Sequence, residues 1–197
     1  MKFRKLLYTV TMLFIMTACG NTDNQEDIQG HDEEDPGIET MSAQEDSDES
    51  LIVSLVNTSG DRIGDAVLEQ RQEGVYITLE ATELTPGIHG FHVHEVGKCQ
   101  PPTFGSAEGH FNPMEASHGF DHPEGPHAGD LPNIKVAEDG TVKAEVLAEK
   151  VTLEEGKENS LRKDGGTALM IHSGADDYKS QPAGDAGERV ACGVIAE

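Results

Sequence analysis

Short runs of alternating apolar and polar residues recur through the chain from residue 51 to the C-terminus. Side chains at positions i and i+2 of an extended strand share a face, so such alternation predicts strands with one buried face. Eight segments follow this pattern or are rich in β-branched residues: 51–57, 63–70, 75–80, 88–95, 134–138, 141–147, 167–172 and 190–195. We find no convincing helical period in this region.

Turn residues separate these segments, as at 57–60 and 85–87, and Asp139-Gly140 is typical of a tight hairpin. The pattern therefore predicts an all-β fold, an eight-stranded antiparallel Greek-key β-sandwich or flattened barrel. Two segments, 96–131 and 173–188, are too long for simple turns. Long loops are uncommon in a compact domain unless they have a function, so we expect the functional residues on these two loops.

Histidines are concentrated in the fourth predicted strand and in the first long loop. His92 and His94 are two residues apart in the strand, so they share a face, while Phe91 and Val93 point into the core. More potential metal ligands follow at His110, His118, His127, Asp130 and, at a later strand end, His172. A bound metal would hold the long loop in place.

This set contains more ligands than one ion needs, so the sequence predicts two ions. Imidazole-rich tetragonal sites suit copper, whereas four-coordinate nitrogen and oxygen sites suit zinc. One imidazole can bind both ions if both of its ring nitrogens are deprotonated.

The N-terminus has the features of an export signal, with basic residues before an apolar run over residues 6–18. That run is too short to span a bilayer comfortably, so we predict a signal peptide over residues 1–18. It ends in Met16-Thr17-Ala18-Cys19, which resembles the lipobox of bacterial lipoproteins, although Met16 stands where Leu is usual. The resemblance implies lipidation of Cys19 and a place on the extracytoplasmic face of the bacterial membrane. The alternative is an ordinary secretory signal peptide.

An acidic segment separates this signal from the β-rich region, which we assign as one domain over residues 51–197. Residues 21–50 include twelve acidic residues and no Lys or Arg, which predicts a disordered tether over residues 19–50. The net charge of −23 argues against nucleic acid as a partner and against electrostatic binding to anionic membranes. We therefore expect membrane contact through the lipid anchor only.

The chain has three cysteines, and export would place them in an oxidising environment. If Cys19 carries lipid, Cys99 and Cys192 are left as a disulfide pair. The alternative is two free buried thiols.

The motifs around the predicted ligands resemble those of the copper-zinc superoxide dismutases. The similar segments are Gly-Phe-His-Val-His-Glu at 90–95, Gly-His-Phe-Asn-Pro at 109–113, His-Gly at 118–119, His-Ala-Gly-Asp-Leu at 127–131, Leu-Met-Ile-His at 169–172 and Gly-Glu-Arg-Val-Ala-Cys-Gly at 187–193. The short spacing at 95–99 and Asp177-Tyr178 ahead of Pro182 resemble the bacterial branch of that family.

The resemblance assigns a role to each residue of the set. It implies copper ligation by His92, His94, His110 and His172, and zinc ligation by His110, His118, His127 and Asp130. It also implies that Asp176 hydrogen-bonds to one copper and one zinc histidine, unless it is a solvated loop acid, and that Arg189 guides the anionic substrate. His89 and His122 fall outside the matched positions, so we expect both to be ordinary surface histidines.

The activity implied by the resemblance is dismutation of superoxide to dioxygen and hydrogen peroxide, with one copper and one zinc ion per subunit. His110 would bridge the two ions and carry a proton. The sequence leaves the oligomeric state open, with a homodimer as one candidate. Two other classes remain: a non-catalytic metal-binding module, whose mark would be a missing copper histidine, and a lipid-anchored adhesion or scaffold domain.

Overall fold

The computed structural model of the chain describes residues 50–196. The predicted signal peptide, Cys19 and the tether up to residue 49 lie outside the described residues. Ser50, which we assigned to the tether, is instead the first residue of a strand. Among the described residues, none belongs to a helix long and apolar enough to cross a membrane.

Nine strands make up the regular structure of the described region, together with one three-residue 3-10 helix at Gly105–Ala107. The strands are β1 Ser50–Asn57, β2 Arg62–Arg71, β3 Gly74–Ala81, β4 Gly87–His89, β5 Phe91–His94, β6 Ile134–Val136, β7 Val142–Ala148, β8 Thr167–His172 and β9 Arg189–Ile195.

Seven of these strands form one antiparallel sheet in the order β5-β8-β9-β1-β2-β3-β7, and β4 pairs with β6 in a second, two-stranded sheet. The Asp139-Gly140 hairpin between β6 and β7 is present, since the Ala137 N–H donates to the Thr141 carbonyl at 2.8 Å. Strands distant in sequence are neighbours, as β1 and β9 are. The prediction of an all-β antiparallel fold is confirmed.

The strand count of eight was wrong because the predicted strand at 88–95 is two strands, β4 and β5, divided at Gly90. Gly90 donates its N–H to the Gly174 carbonyl and accepts the His172 N–H, at 2.8 and 2.9 Å. A Cβ at Gly90 would lie 2.9 Å from the Cβ of Ala186, so only glycine permits this approach. The chain changes partner here, from β6 to β8.

The apolar residues on the inward faces of the predicted strands fill the main core. Leu55 of β1, Leu68 of β2 and Ile77 and Leu79 of β3 are completely buried. Burial of each such side chain contributes roughly 1.5–3 kcal/mol to folding. All six residues of β8 are buried, because the main core covers one face and a second cluster covers the other. The strand that ends at His172 is therefore held on both faces.

The second cluster contains the predicted disulfide. Cys99 and Cys192 are bonded, with 5.6 Å between their Cα atoms and a separation of 93 positions in the sequence, so this prediction is confirmed. Phe104 and Met170 pack beside the buried Cys192. The bond attaches the first long loop to β9, and in the chain-entropy model a loop of this length is worth about 4–5 kcal/mol.

Candidate metal centre

Strands β5 and β8 present three histidines on one face. Phe91 and Val93 of β5 point into the main core and are fully buried, so His92 and His94 point to the opposite face. His172 ends β8 just after a register shift, and its Nε2 lies 3.3 Å from His94 Nε2.

The first long loop, residues 95–133, folds back over these histidines and pairs with β5. The Phe111 N–H donates to the Val93 carbonyl, and the Val93 N–H donates to the Gly129 carbonyl, both at 2.8 Å. A Cβ at Gly129 would lie 2.3 Å from the Val93 carbonyl oxygen, so this docking requires glycine. Two isolated bridges, His94 with His110 and His92 with Asp130, show that the loop places its ligands beside those of the strand.

Two groups of buried potential ligands result. Within each group the candidate ligand atoms lie within 4.8 Å of one another. The first group is His92, His94, His110 and His172, and the second is His110, His118, His127 and Asp130. Only His110 belongs to both. Its imidazole therefore lies between three other histidines on one side and two histidines and a carboxylate on the other.

Two ring nitrogens in this centre have no hydrogen-bond partner among the described residues, although both are buried. They are His92 Nδ1 and His110 Nε2. A buried polar atom without a partner costs about 1–3 kcal/mol. A metal ion bound at the first group would satisfy both, so the residues present fit a cation there.

The second group converges on one oxygen of Asp130. Its Oδ1 lies 2.8 Å from His110 Nδ1 and 3.1 Å from the Nδ1 atoms of both His118 and His127. Its Oδ2 accepts the backbone N–H groups of Gly119 and His127, at 2.9 and 3.0 Å. Burial alone would raise the pKa of Asp130, but these hydrogen bonds outweigh it and hold the pKa well below its usual range. Three imidazoles and one carboxylate form a donor set that suits tetrahedral zinc.

Burial disfavours the charged form of three histidines in the first group. It lowers the pKa of His94, lowers that of His110 to about 4 and lowers that of His172 to about 3, and the neighbouring imidazoles add to the effect. Neutral imidazole is the form that binds a metal.

His118 differs from these three. Burial disfavours its charged form, but hydrogen bonds to Asp130 and Asp176 outweigh burial and raise its pKa to about 9. In the metal-free protein His118 is therefore a cation at neutral pH.

Asp176 lies between the two groups. Its Oδ2 is 2.7 Å from His92 Nε2, and its Oδ1 is 3.1 Å from His118 Nε2. The Asp176 carboxylate is fully buried, so it is not a solvated loop acid. Asp176 therefore orients one ring of each group, because it contacts the Nε2 atoms of His92 and His118 and leaves their Nδ1 atoms facing the two ligand groups.

Arg189 pairs with His172 across β8 and β9, which places its side chain beside the first group. Its Nη1 and Nη2 donate to the carbonyls of Phe104 and Glu108, at 2.7 and 2.5 Å. The Glu108 carbonyl also lies 2.8 Å from His94 Nδ1. The first loop thus fixes the guanidinium and one ligand ring with the same oxygen.

The expectation of a surface position was wrong for His89, which is only 2% exposed. Its Nδ1 lies 2.6 Å from the His172 carbonyl and its Nε2 lies 2.7 Å from the Thr85 carbonyl. Counting alternate positions back from the inward-facing Phe91 would have indicated an inward His89. His122 is partly exposed, lies outside both groups and accepts the Glu124 N–H at 3.2 Å.

Two side-chain amides near the centre carry no sequence signal that we recognised. Asn133 contacts the backbone of Asp176, and Gln181 contacts the backbone of His118. Amide side chains are common in loops, and only the folded structure shows which backbone they face.

Comparison with known proteins agrees with this geometry. The family model described as copper/zinc superoxide dismutase (SODC) matches residues 62–195. Superoxide dismutase (Cu-Zn) 1 of Aquifex aeolicus is 58% identical over 142 residues, which cover 72% of this chain and 84% of that protein. The superoxide dismutase-like protein YojM of Bacillus subtilis is 42% identical over 145 residues, covering 73% of this chain and 74% of that protein.

Solved structures show the same similarity. The crystal structure of a SOD-like protein from Bacillus subtilis has a TM-score of 0.71 at 41% identity, covering 73% of this chain and 97% of that one. The Cu/Zn superoxide dismutase from Brucella abortus has a TM-score of 0.62 at 34% identity, covering 75% and 99%. The chain therefore belongs to the copper/zinc superoxide dismutase family and is an enzyme of that type, with copper and zinc as its cofactors.

Proposed function

We propose that this enzyme dismutates superoxide at a copper ion held by the first group of ligands, bridged through His110 to a zinc ion held by the second. The observation that carries the proposal is the position of His110, which belongs to both groups. Its Nδ1 faces Asp130 in the second group, and its Nε2 is buried without a partner. A single ring is thus set to serve one ion with each nitrogen.

Copper held by the first group would supply the one-electron chemistry of dismutation, because copper has two accessible oxidation states. The superoxide that is reduced must gain two protons to give hydrogen peroxide. His110 Nε2 is the atom where the chain can hold one of them, because Nδ1 stays directed at Asp130 and the second group.

Arg189 attracts the anionic substrate. Two backbone carbonyls hold its guanidinium, so the charge has a fixed position beside His172. The net charge of −23 works against an anion, but charges farther away than about 8–10 Å are largely screened at physiological salt. The local field at the site therefore governs the last steps of approach.

A non-catalytic metal-binding module is the second candidate, since one relative is called only superoxide dismutase-like. Its mark would be an incomplete set of copper ligands. The four histidines of the first group are all present and buried in this chain, which favours catalysis. Copper content and a superoxide assay before and after copper loading distinguish the two candidates.

We also propose that the enzyme acts outside the cytoplasm as a lipoprotein anchored through Cys19, in antioxidant defence. The Cys99–Cys192 disulfide supports a place in an oxidising compartment. The lipobox-like sequence before Cys19 supports the anchor.

His118→Ala should remove most zinc binding, because it deletes one of four ligands and frees the first loop. His172→Ala should remove copper and activity while zinc remains. Metal analysis of the purified variants, with a superoxide assay, measures both effects, and His122→Ala serves as a histidine control outside both groups. If the two ligand variants lost the same metal, our division of the ligands would be wrong.

Zinc binding to the metal-free protein should depend on pH in a predictable direction. Because His118 has a pKa of about 9 in the metal-free state, zinc must displace its proton at neutral pH. We expect release of about one proton from His118 and an affinity that rises about tenfold per pH unit from pH 7 towards 9. Titration calorimetry in buffers of different ionisation enthalpy counts the protons. An affinity that is flat between pH 7 and 8.5 would contradict a protonated His118.

The Arg189→Ala variant tests whether Arg189 attracts the anionic substrate without binding either metal. We expect unchanged copper and zinc content, with kcat/KM lower by a factor on the order of 10 to 100 and a weaker dependence on ionic strength. The control is Arg62→Ala, which removes an equal charge from an exposed ion pair on β2. Unchanged kcat/KM in the Arg189 variant would show that the metal centre draws in the anion without this side chain.

Cys19→Ala should leave an unprocessed or soluble protein, because lipid chains at this residue would provide the membrane affinity. The measurement is membrane retention after washes with high salt and high pH. The matched control is Met16→Leu, which restores the usual lipobox residue and should remain anchored. Equal retention of the Cys19 variant and the wild type would rule out the lipid anchor.

A further inference from the structure

The zinc ligand His118 is held mainly by the second long loop, residues 173–188, although no member of the zinc group comes from that loop. We propose that Gln181 in this loop is a positioning residue for His118, and that its side-chain amide sets how firmly the protein retains zinc. This inference rests on the zinc site proposed above.

The Gln181 amide pairs with both backbone groups of His118. The His118 N–H donates to Gln181 Oε1, and Gln181 Nε2 donates to the His118 carbonyl, both at 2.9 Å. Gln181 Nε2 also donates to the Lys179 carbonyl at 3.0 Å, which fixes the orientation of the amide from its own loop. Both amide hydrogens and the amide oxygen are therefore used.

The same loop also holds the side chain of His118. Its Nε2 lies 3.1 Å from Asp176 Oδ1. The backbone of Asp176 is fixed in turn by Asn133, which accepts its N–H at 2.9 Å and donates to its carbonyl at 2.8 Å. One amide from each long loop thus pairs with the backbone of a centre residue in the other loop.

Gly184 of the second loop packs against the side chains of both Asp176 and His118. A Cβ at this position would lie 2.0 Å from Asp176 Oδ1 and 2.6 Å from His118 Nε2. The backbone of the second loop therefore packs directly on this pair, and no side chain fits between them. His118 is completely buried as a result. Of its four polar atoms, the second loop binds three, and only Nδ1 faces the Asp130 side where zinc would bind.

This arrangement bears on zinc retention because a ligand held in the right orientation loses less freedom when the ion binds. Outer partners of metal ligands commonly change metal affinity by about 10- to 100-fold when removed. Gln181 is exposed and water can replace part of its role, so we expect the lower end of that range, about tenfold.

The test compares Gln181→Met with Gln70→Met in the metal-loaded protein. Methionine keeps the length of the side chain and removes the amide. Gln70 is a matched control because its amide also joins two segments, donating to Arg71 and Gly74 and accepting from Thr152 and Leu153, outside the metal centre. The measurements are the rate of zinc transfer to a chromogenic chelator and the absorption spectrum after Co²⁺ replaces zinc.

We expect Gln181→Met to release zinc about tenfold faster than the wild type and to change the Co²⁺ spectrum, while its metal-free form melts near the wild-type temperature. Gln70→Met should lower the melting temperature and leave zinc release unchanged. If Gln181→Met does not fold, Gln181→Glu keeps the acceptor for the His118 N–H, loses the donor, and should still release zinc faster.

Two results would overturn the inference: wild-type release rates in the Gln181 variants, or equal acceleration in Gln70→Met, which would indicate general loosening. Failure of the proposed zinc site has a different signature. In that case the wild-type protein would hold no zinc, or His118→Ala would retain it.

Discussion

The metal centre is organised by the need to compensate two buried carboxylates. Asp130 and Asp176 expose almost none of their surface, and an isolated buried carboxylate is very unfavourable. Each is surrounded by imidazoles and backbone N–H groups, which come from β5 and both long loops; the second loop contributes the Tyr178 N–H to Asp176. The loops can therefore take only those paths that bring donors to these two side chains. Two buried imidazole nitrogens are left without a partner, His92 Nδ1 and His110 Nε2, and both belong to the first group of ligands.

The two loops are also held by contacts with the strands that precede and follow them. The disulfide attaches the first loop to β9, and β9 begins with Arg189, which donates to two carbonyls of that loop. His172 ends β8 immediately before the second loop, which supplies Asp176. The position of the Arg189 guanidinium and the positions of the candidate ligands thus depend on one set of contacts. Loosening of the first loop would affect both.

Much of this could be predicted from the sequence, because local patterns determine it. Alternation located the strands, and the two-residue spacing of His92 and His94 placed them on one face of β5. The cysteine count indicated the Cys99–Cys192 bond. The change of sheet at Gly90 could not be predicted, because it depends on a close approach to the second loop. Gln181 was missed for a related reason, since its main partner is the backbone of His118, which is far away in sequence.

Glu108 has a backbone conformation, φ 58° and ψ −145°, that is suited almost only to glycine. Such a conformation costs on the order of 1–3 kcal/mol in a residue with a side chain. It directs one carbonyl at both His94 and Arg189, so the hydrogen bonds to these two residues offset its cost. That compensation exists only when β5, β9 and the first loop are all in place. The centre should therefore assemble cooperatively, because a partly assembled one would have the strain of Glu108 without the contacts that balance it.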